Sequence, residues 1–317
     1  MKLTAEGLSR LLDHPVDRFV IEPLGLFSSK VSLLTVSIEN SEPQHFILKE
    51  PHPERTDRFG ESFAMEARFY REVAPSLPVR IPACLAHGND FILLERIEHR
   101  PFSWQRGATE THAATAMEAL RSLHELEAKD VPDWIPGFAE PECQAALCER
   151  YCESWGKHAD SLCRWCPEFK PVGEHLASHG AEHYAALGGS GALLHGDAHL
   201  ENIPLTEEAQ GVDVVFFDWQ GPRRGEPLFD VAYFNIMSFP VDARRAKEPA
   251  LLARYLGHAP DSAEQATYRH SVASRASGIV EMTADWSPKQ VEDPGLGWVA
   301  NRCFTAAVDH RVHELIG

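Results

Sequence analysis

The polar residues His195, Asp197, His199, Glu201 and Asn202 interrupt an otherwise apolar stretch running from Leu193 to Leu205. An unpartnered polar group costs roughly 1–3 kcal/mol to bury, so such a segment needs work for those groups to do. Asp197 and Asn202 stand five apart, and Phe216-Phe217-Asp218-Trp219-Gln220 follows. Two oxygen donors, Asn202 and Asp218, suit a hard cation such as magnesium, which takes few protein ligands and completes its shell with phosphate and water. Asp197 can then orient an attacking hydroxyl and accept its proton, as a general base must. The bland alternatives are an Asp197 that caps a helix and an Asp218 that ends a surface strand. His195 reads as a structural hydrogen-bonding group, and His199 as either a substrate contact or packing.

A small sheet and several helices must position these groups. Residues 1–20 carry Leu8, Leu11 and Leu12 on one face and read as a short helix. Phe19–Gly25, Val31–Ile38 and His45–Lys49 read as strands joined by turns, giving an antiparallel meander. Glu61–Val73 has helical periodicity, Phe91–Glu95 reads as a further strand and Thr109–Glu127 as a strong helix. The rest is predominantly helical, apart from 193–205 and a strand over Val212–Asp218.

Composition narrows the partners. The chain of 317 residues has 47 acidic and 30 basic residues, a net charge of −17. With no Lys/Arg run, such a surface repels a phosphate backbone, so no nucleic acid is expected. No apolar stretch approaches the roughly 18–20 residues that span a bilayer, so no membrane partner is expected either. The first residues, Met1–Glu6, lack an apolar signal core, which points to a cytoplasmic location. The seven cysteines read as free thiols, and the Cys163–Cys166 pair lacks the second close pair of a structural zinc site. Oligomeric state is not legible.

His195-Gly196-Asp197 with Asn202, followed by Asp218, resembles the signature of the aminoglycoside phosphotransferase superfamily, closest to its choline-kinase-like and ecdysteroid-kinase-like branches. The resemblance implies an α+β, protein-kinase-like two-lobed fold. Residues 1–97 would form a small antiparallel-sheet nucleotide-binding lobe, and 98–317 a larger, mainly helical catalytic and substrate-binding lobe. It implies an ATP-dependent kinase, with GTP as a possible donor, that uses Mg2+ and phosphorylates a hydroxyl of a small molecule. By the same resemblance Asp197 is the base, and Asn202 and Asp218 are the metal ligands. Lys49 holds the α- and β-phosphates with Glu66 as its ion-pair partner. Glu95 lies in the segment that meets adenine, and Asp230 braces the catalytic loop. The chain departs from the pattern at the phosphate loop, where Gly25 is followed by Leu26-Phe27-Ser28-Ser29 in place of Gly-x-Gly-x-x-Gly, leaving Ser28 and Ser29 as phosphate donors. The rival readings are a catalytically inactive nucleotide-binding protein on the same fold and a protein kinase. The twelve residues from Asp218 to Asp230 leave little room for a peptide-positioning segment.

Overall fold

The computed structural model describes residues 4–26, 29–38, 41–52, 58–208 and 211–316. It divides into two compact units. The first comprises Met1–Arg100 with Thr206–Ala209 and Val215–Gly221, and the second comprises Pro101–Leu205, Gln210–Val214 and Pro222–Gly317.

The first unit is built on a five-stranded antiparallel sheet: β1 (Arg18–Leu26), β2 (Ser29–Ser37), β3 (Gln44–Pro51), β4 (Cys84–His87) and β5 (Ile92–Glu95), in the order β1-β2-β3-β5-β4. Side chains alternate between the faces of a strand. Leu34, Val36, Leu48 and Leu93 bury one face together with Leu8 of helix α1 (Ala5–Leu12) and Val16. Lys49, the next residue after Leu48, turns to the opposite face and meets α2 (Arg58–Glu72). The first helix is shorter than the expected 1–20. It ends at Asp13, which adopts a left-handed conformation (φ 55°), and β1 begins at Arg18. Strand β4 has no counterpart among the expected elements, because four residues carry too little periodicity to register.

The second unit is mainly helical: α3 (Glu110–His124), α4 (Pro141–Cys163), α5 (Lys170–Ala185), α6 (Leu228–Met237), α7 (Val241–Leu256), α8 (Ser262–Met282), α9 (Pro288–Val291) and α10 (Pro294–Asp309). All ten residues of α6 are buried, as expected of a helix apolar on every side. Helix α8 packs against α4, α5, α6 and α10. The short strands β6 (Ala192–Leu194) and β9 (Arg223–Gly225) pair antiparallel on either side of the Asp197 loop in sequence. Strands β7 (Leu205–Glu208) and β8 (Gly211–Val214) lie between them along the chain.

The expected strand over Val212–Asp218 is corrected: it stops at Val214. Val215 and Phe216 are buried, but as irregular chain, with the Phe216 N–H donating to the Arg80 carbonyl at 2.9 Å. Asp218 has φ 61°, a left-handed conformation that no strand accommodates.

Candidate active site

In the first unit, Lys49 is the centre of a charged group. Its Nζ lies 2.7 Å from Glu66 Oε1, 2.6 Å from Glu66 Oε2 and 2.6 Å from Asp218 Oδ1. Strand β3 supplies the lysine, α2 the glutamate, and the segment after β8 the aspartate. That last segment is held by Trp219, whose ring stacks on Phe69 of α2 at 4.2 Å. Burial pulls the Lys49 pKa down, but the charges of Glu66 and Asp218 outweigh it and lift the ammonium above its ordinary value. One ammonium between two carboxylates leaves an excess negative charge. Burial, opposed by Lys49 and reinforced by Asp218, therefore pushes the Glu66 carboxyl up. Asp218 Oδ2 accepts a hydrogen bond from Gln220 at 3.1 Å. A carboxylate has about four lone-pair sites, so both contacts leave it capacity for a cation.

In the second unit, the loop after β6 is clamped from below. The N–H groups of His195 and Gly196 donate to the two oxygens of Asp230 at 2.6 and 3.0 Å. Asp230 lies in the first turn of α6, is fully buried and also meets His124 Nε2 at 3.2 Å. Gly196 takes φ 83°, a conformation glycine adopts without cost. His195 is fully buried, and its Nδ1 accepts from the Asp197 N–H at 3.3 Å, so this ring supports the loop.

The Asp197 carboxylate is tied on three sides. Asn202 Nδ2 donates to Asp197 Oδ2 at 2.9 Å and to its carbonyl at 3.0 Å. The Tyr233 hydroxyl donates to Oδ1, and His199 Nε2 lies 3.5 Å from the same oxygen. The His199 Nδ1 accepts from the Glu201 N–H at 3.2 Å, which leaves the Nε2 proton facing the carboxylate. Burial alone would raise the Asp197 pKa, but His199, Tyr233 and the Arg275 guanidinium hold it well below the ordinary carboxylate range. The result is an ionised, oriented acceptor.

Because Asn202 commits its amide nitrogen to Asp197, its remaining polar atom is a carbonyl oxygen. That oxygen and, in the first unit, the Asp218 carboxylate are each of the hard oxygen type that magnesium prefers, so each residue suits the ion by its chemistry. Among the described residues no group of three or more His, Cys, Asp or Glu side chains is arranged to hold a metal.

The remaining expected site residues are placed as follows. Ser29 opens β2, is buried and lies opposite Pro51. Ser28 lies outside the described residues. Glu95 closes β5. Its N–H donates to the Ala83 carbonyl at 2.8 Å, while its carboxylate accepts from the Ala83 N–H at 3.1 Å and from Arg80 at 3.4 Å. These bonds hold Glu95 to Ala83 and Arg80.

The chain matches the phosphotransferase enzyme family over residues 24–268. The chain belongs to this family. It is a phosphotransferase, with a sheet-based unit and a helical unit in the protein-kinase-like arrangement of elements. Solved structures share the fold at low identity. Macrolide 2′-phosphotransferase MphH from Brachybacterium faecium is 18% identical, with a TM-score of 0.55 over 94% of this chain and 96% of that one. Choline kinase from Cryptosporidium parvum is 13% identical, with a TM-score of 0.56 over 93% and 88%. A thermostable mutant of aminoglycoside phosphotransferase APH(4)-Ia, in a ternary complex with ADP and hygromycin B, is 12% identical, with a TM-score of 0.59 over 97% and 98%. No curated protein sequence matches the chain.

Two side chains of this phosphotransferase near the Asp197 carboxylate, Tyr233 and Arg275, escape a reading of the sequence. Tyr233 lies one helical turn beyond Asp230, so its position was recoverable once Asp230 was set under the loop. Arg275, whose guanidinium lies 3.9 Å over the Tyr233 ring, comes from a distant segment and carries no local signal, and the Trp104 ring lies 5.4 Å from His199.

Proposed function

We propose that this phosphotransferase moves the γ-phosphoryl group of ATP to a hydroxyl of a small molecule. The observation that carries the reading is Asp197: an ionised carboxylate fixed by Asn202, Tyr233 and His199 on a loop that Asp230 clamps. Residues 1–97 would serve the nucleotide and residues 98–317 the acceptor and the chemistry. Lys49, kept charged and oriented by Glu66, would bind the α- and β-phosphate oxygens, with Ser28 and Ser29 as further donors. The backbone around Glu95 would meet adenine. Asn202 and Asp218 would hold Mg2+, which when bound supplies neutralisation of phosphate charge. Asp197 would align the acceptor oxygen with the γ-phosphorus and take its proton as the new P–O bond forms and the bond to the ADP oxygen breaks. Positioning and charge neutralisation account for most of the acceleration in such transfers.

ADP release measured over hydroxylated acceptors tests this. Asp197→Asn should lower turnover by about 10²–10⁴-fold, the span associated with a positioned acid–base group. The thermal shift produced by Mg-ATP should survive in that variant. Undiminished turnover would remove Asp197 from the base role. A wild-type protein that Mg-ATP stabilises but that releases no ADP with any alcohol would instead be the inactive nucleotide binder.

A further inference from the structure

From the Asp197 carboxylate an unbroken run of aromatic side chains leads outward through the second unit. His199 sits against Asp197, the Trp104 ring is 5.4 Å from the His199 ring, and the Trp298 ring is 5.1 Å from Trp104. Phe102 adds an edge contact to Trp104 at 5.5 Å. The three segments are unrelated in sequence: the loop before α3, the Asp197 loop and α10. Trp104 and Phe102 are only half-buried, and Trp298 is 37% exposed. Apolar ring surface on this scale, beginning at a general base, is a feature that needs a covering partner.

The charges touching this run are the Asp197 carboxylate at its inner end and a guanidinium group at its outer end. Arg302 lies 4.9 Å over the Trp298 ring and donates to the carbonyls of Met237 and Trp104 at 2.5 Å each. Arg275 lies over the Tyr233 ring. One π face of Trp298 in the run, and one of Tyr233 beside His199, are surfaces that would receive an ammonium group but are already taken by the protein's own cations. The net charge of −17 favours cations at long range. Salt screens that attraction over about 8–10 Å, whereas the two guanidinium groups act at contact distance. Arg302 is engaged with two carbonyls, and the Arg275 charge is answered by the Asp197 carboxylate, so neither calls for an anionic substrate.

We infer that the phosphate acceptor is an uncharged alcohol with an aromatic or fused-ring body. Its hydroxyl meets Asp197, and its flat apolar face lies along His199, Trp104 and Trp298. This rests on the phosphotransfer reading above and specifies the substrate class within it.

The test compares three acceptors in the ADP-release assay with Mg-ATP: 4-biphenylmethanol, choline and kanamycin. Calorimetric titration of 4-biphenylmethanol into the protein with Mg-ADP runs alongside. The ring alcohol should give the highest kcat/KM. Trp298→Ala should raise its KM about tenfold or more, leave kcat within about twofold and leave the KM for ATP unchanged. Trp298 is exposed enough for this variant to fold, and Trp298→Phe should recover most of the affinity. Preferred turnover of choline or kanamycin overturns the inference and leaves phosphotransfer intact, as does an unchanged KM for 4-biphenylmethanol in Trp298→Ala. Binding of the ring alcohol that Trp298→Ala abolishes, without ADP release from any acceptor, upholds the aromatic site and overturns the phosphotransfer reading. Absence of both binding and turnover of the ring alcohol overturns the inference.

Discussion

Lys49 illustrates how a single residue holds a charged group together. The lysine and Glu66 are almost completely buried, and Asp218 is partly so. Removing one partner of a buried ion pair leaves an uncompensated charge and costs about 3–5 kcal/mol. Lys49→Met therefore should destabilise the protein by about that amount, because it leaves Glu66 and Asp218 facing each other across an apolar chain. Adding Glu66→Gln to Lys49→Met should recover part of the loss, since it removes the buried charge. Denaturant unfolding of the two variants measures both effects. A single variant as stable as the parent would mean that Glu66 takes up a proton at no cost. Lys49 was legible in the sequence because a lysine at the end of an apolar strand is costly without a partner. Glu66 was legible from its place on the apolar stripe of a helix. The contact of Asp218 with the same ammonium was not, since 169 positions separate the two.

At the scale of elements, the Asp197 loop depends on α6. Asp230 receives two backbone N–H groups that the loop cannot satisfy internally. Asp230→Ala leaves both donors without this acceptor, the His195 N–H in a fully buried place and the Gly196 N–H in a half-buried one. At roughly 1–3 kcal/mol per orphaned group, it should cost about 2–6 kcal/mol. Asp230→Asn keeps one acceptor oxygen and should cost less. Chemical denaturation gives the order of the three proteins, and an Asp230→Ala protein of parental stability would show that the loop does not rely on this clamp. The same scale explains which elements the sequence concealed. Strands β6 and β9 are three residues each, and they pair across 28 or more intervening positions, so neither has a period of its own. The apolar run Val214–Phe217 reads as a strand because it is buried. Its left-handed end at Asp218 and its bond to Arg80 make it an irregular connection instead.

Across the whole molecule, acid should act through a cluster of histidines around His183. His183 is buried, with its Nε2 3.2 Å from His175 Nε2 and its Nδ1 2.9 Å from His270 Nδ1. Burial, then the charges of His270, His175 and His179, push the His183 pKa down to about 3, and burial lowers His175 and His270 as well. A depressed pKa means that the unfolded chain takes up protons the folded one refuses. Stability from these groups is thus fully present above about pH 6.5 and falls as the pH drops below it. At pH 5, His183 alone should account for a loss of about 2 kcal/mol, at about 1.4 kcal/mol per pH unit below 6.5. The midpoint of thermal unfolding should therefore fall by several degrees between pH 7 and pH 5, and His183→Leu should flatten that dependence. An equally steep dependence in the variant would place the acid sensitivity elsewhere.

The sequence alone determined the chemical vocabulary of this protein: a loop with Asp197 and Asn202, a following Asp218, and a lysine and glutamate on an early strand and helix. It could do so because polar groups amid apolar neighbours, and the 2.0 and 3.6 residue periods, are local properties of the chain. The tertiary structure decided which distant groups share an environment. It set Tyr233 and Arg275 against Asp197, and Trp104 beside Trp298. Those contacts join loops and helices separated by tens to hundreds of residues, and no local pattern encodes which side chains such packing brings within a few ångströms.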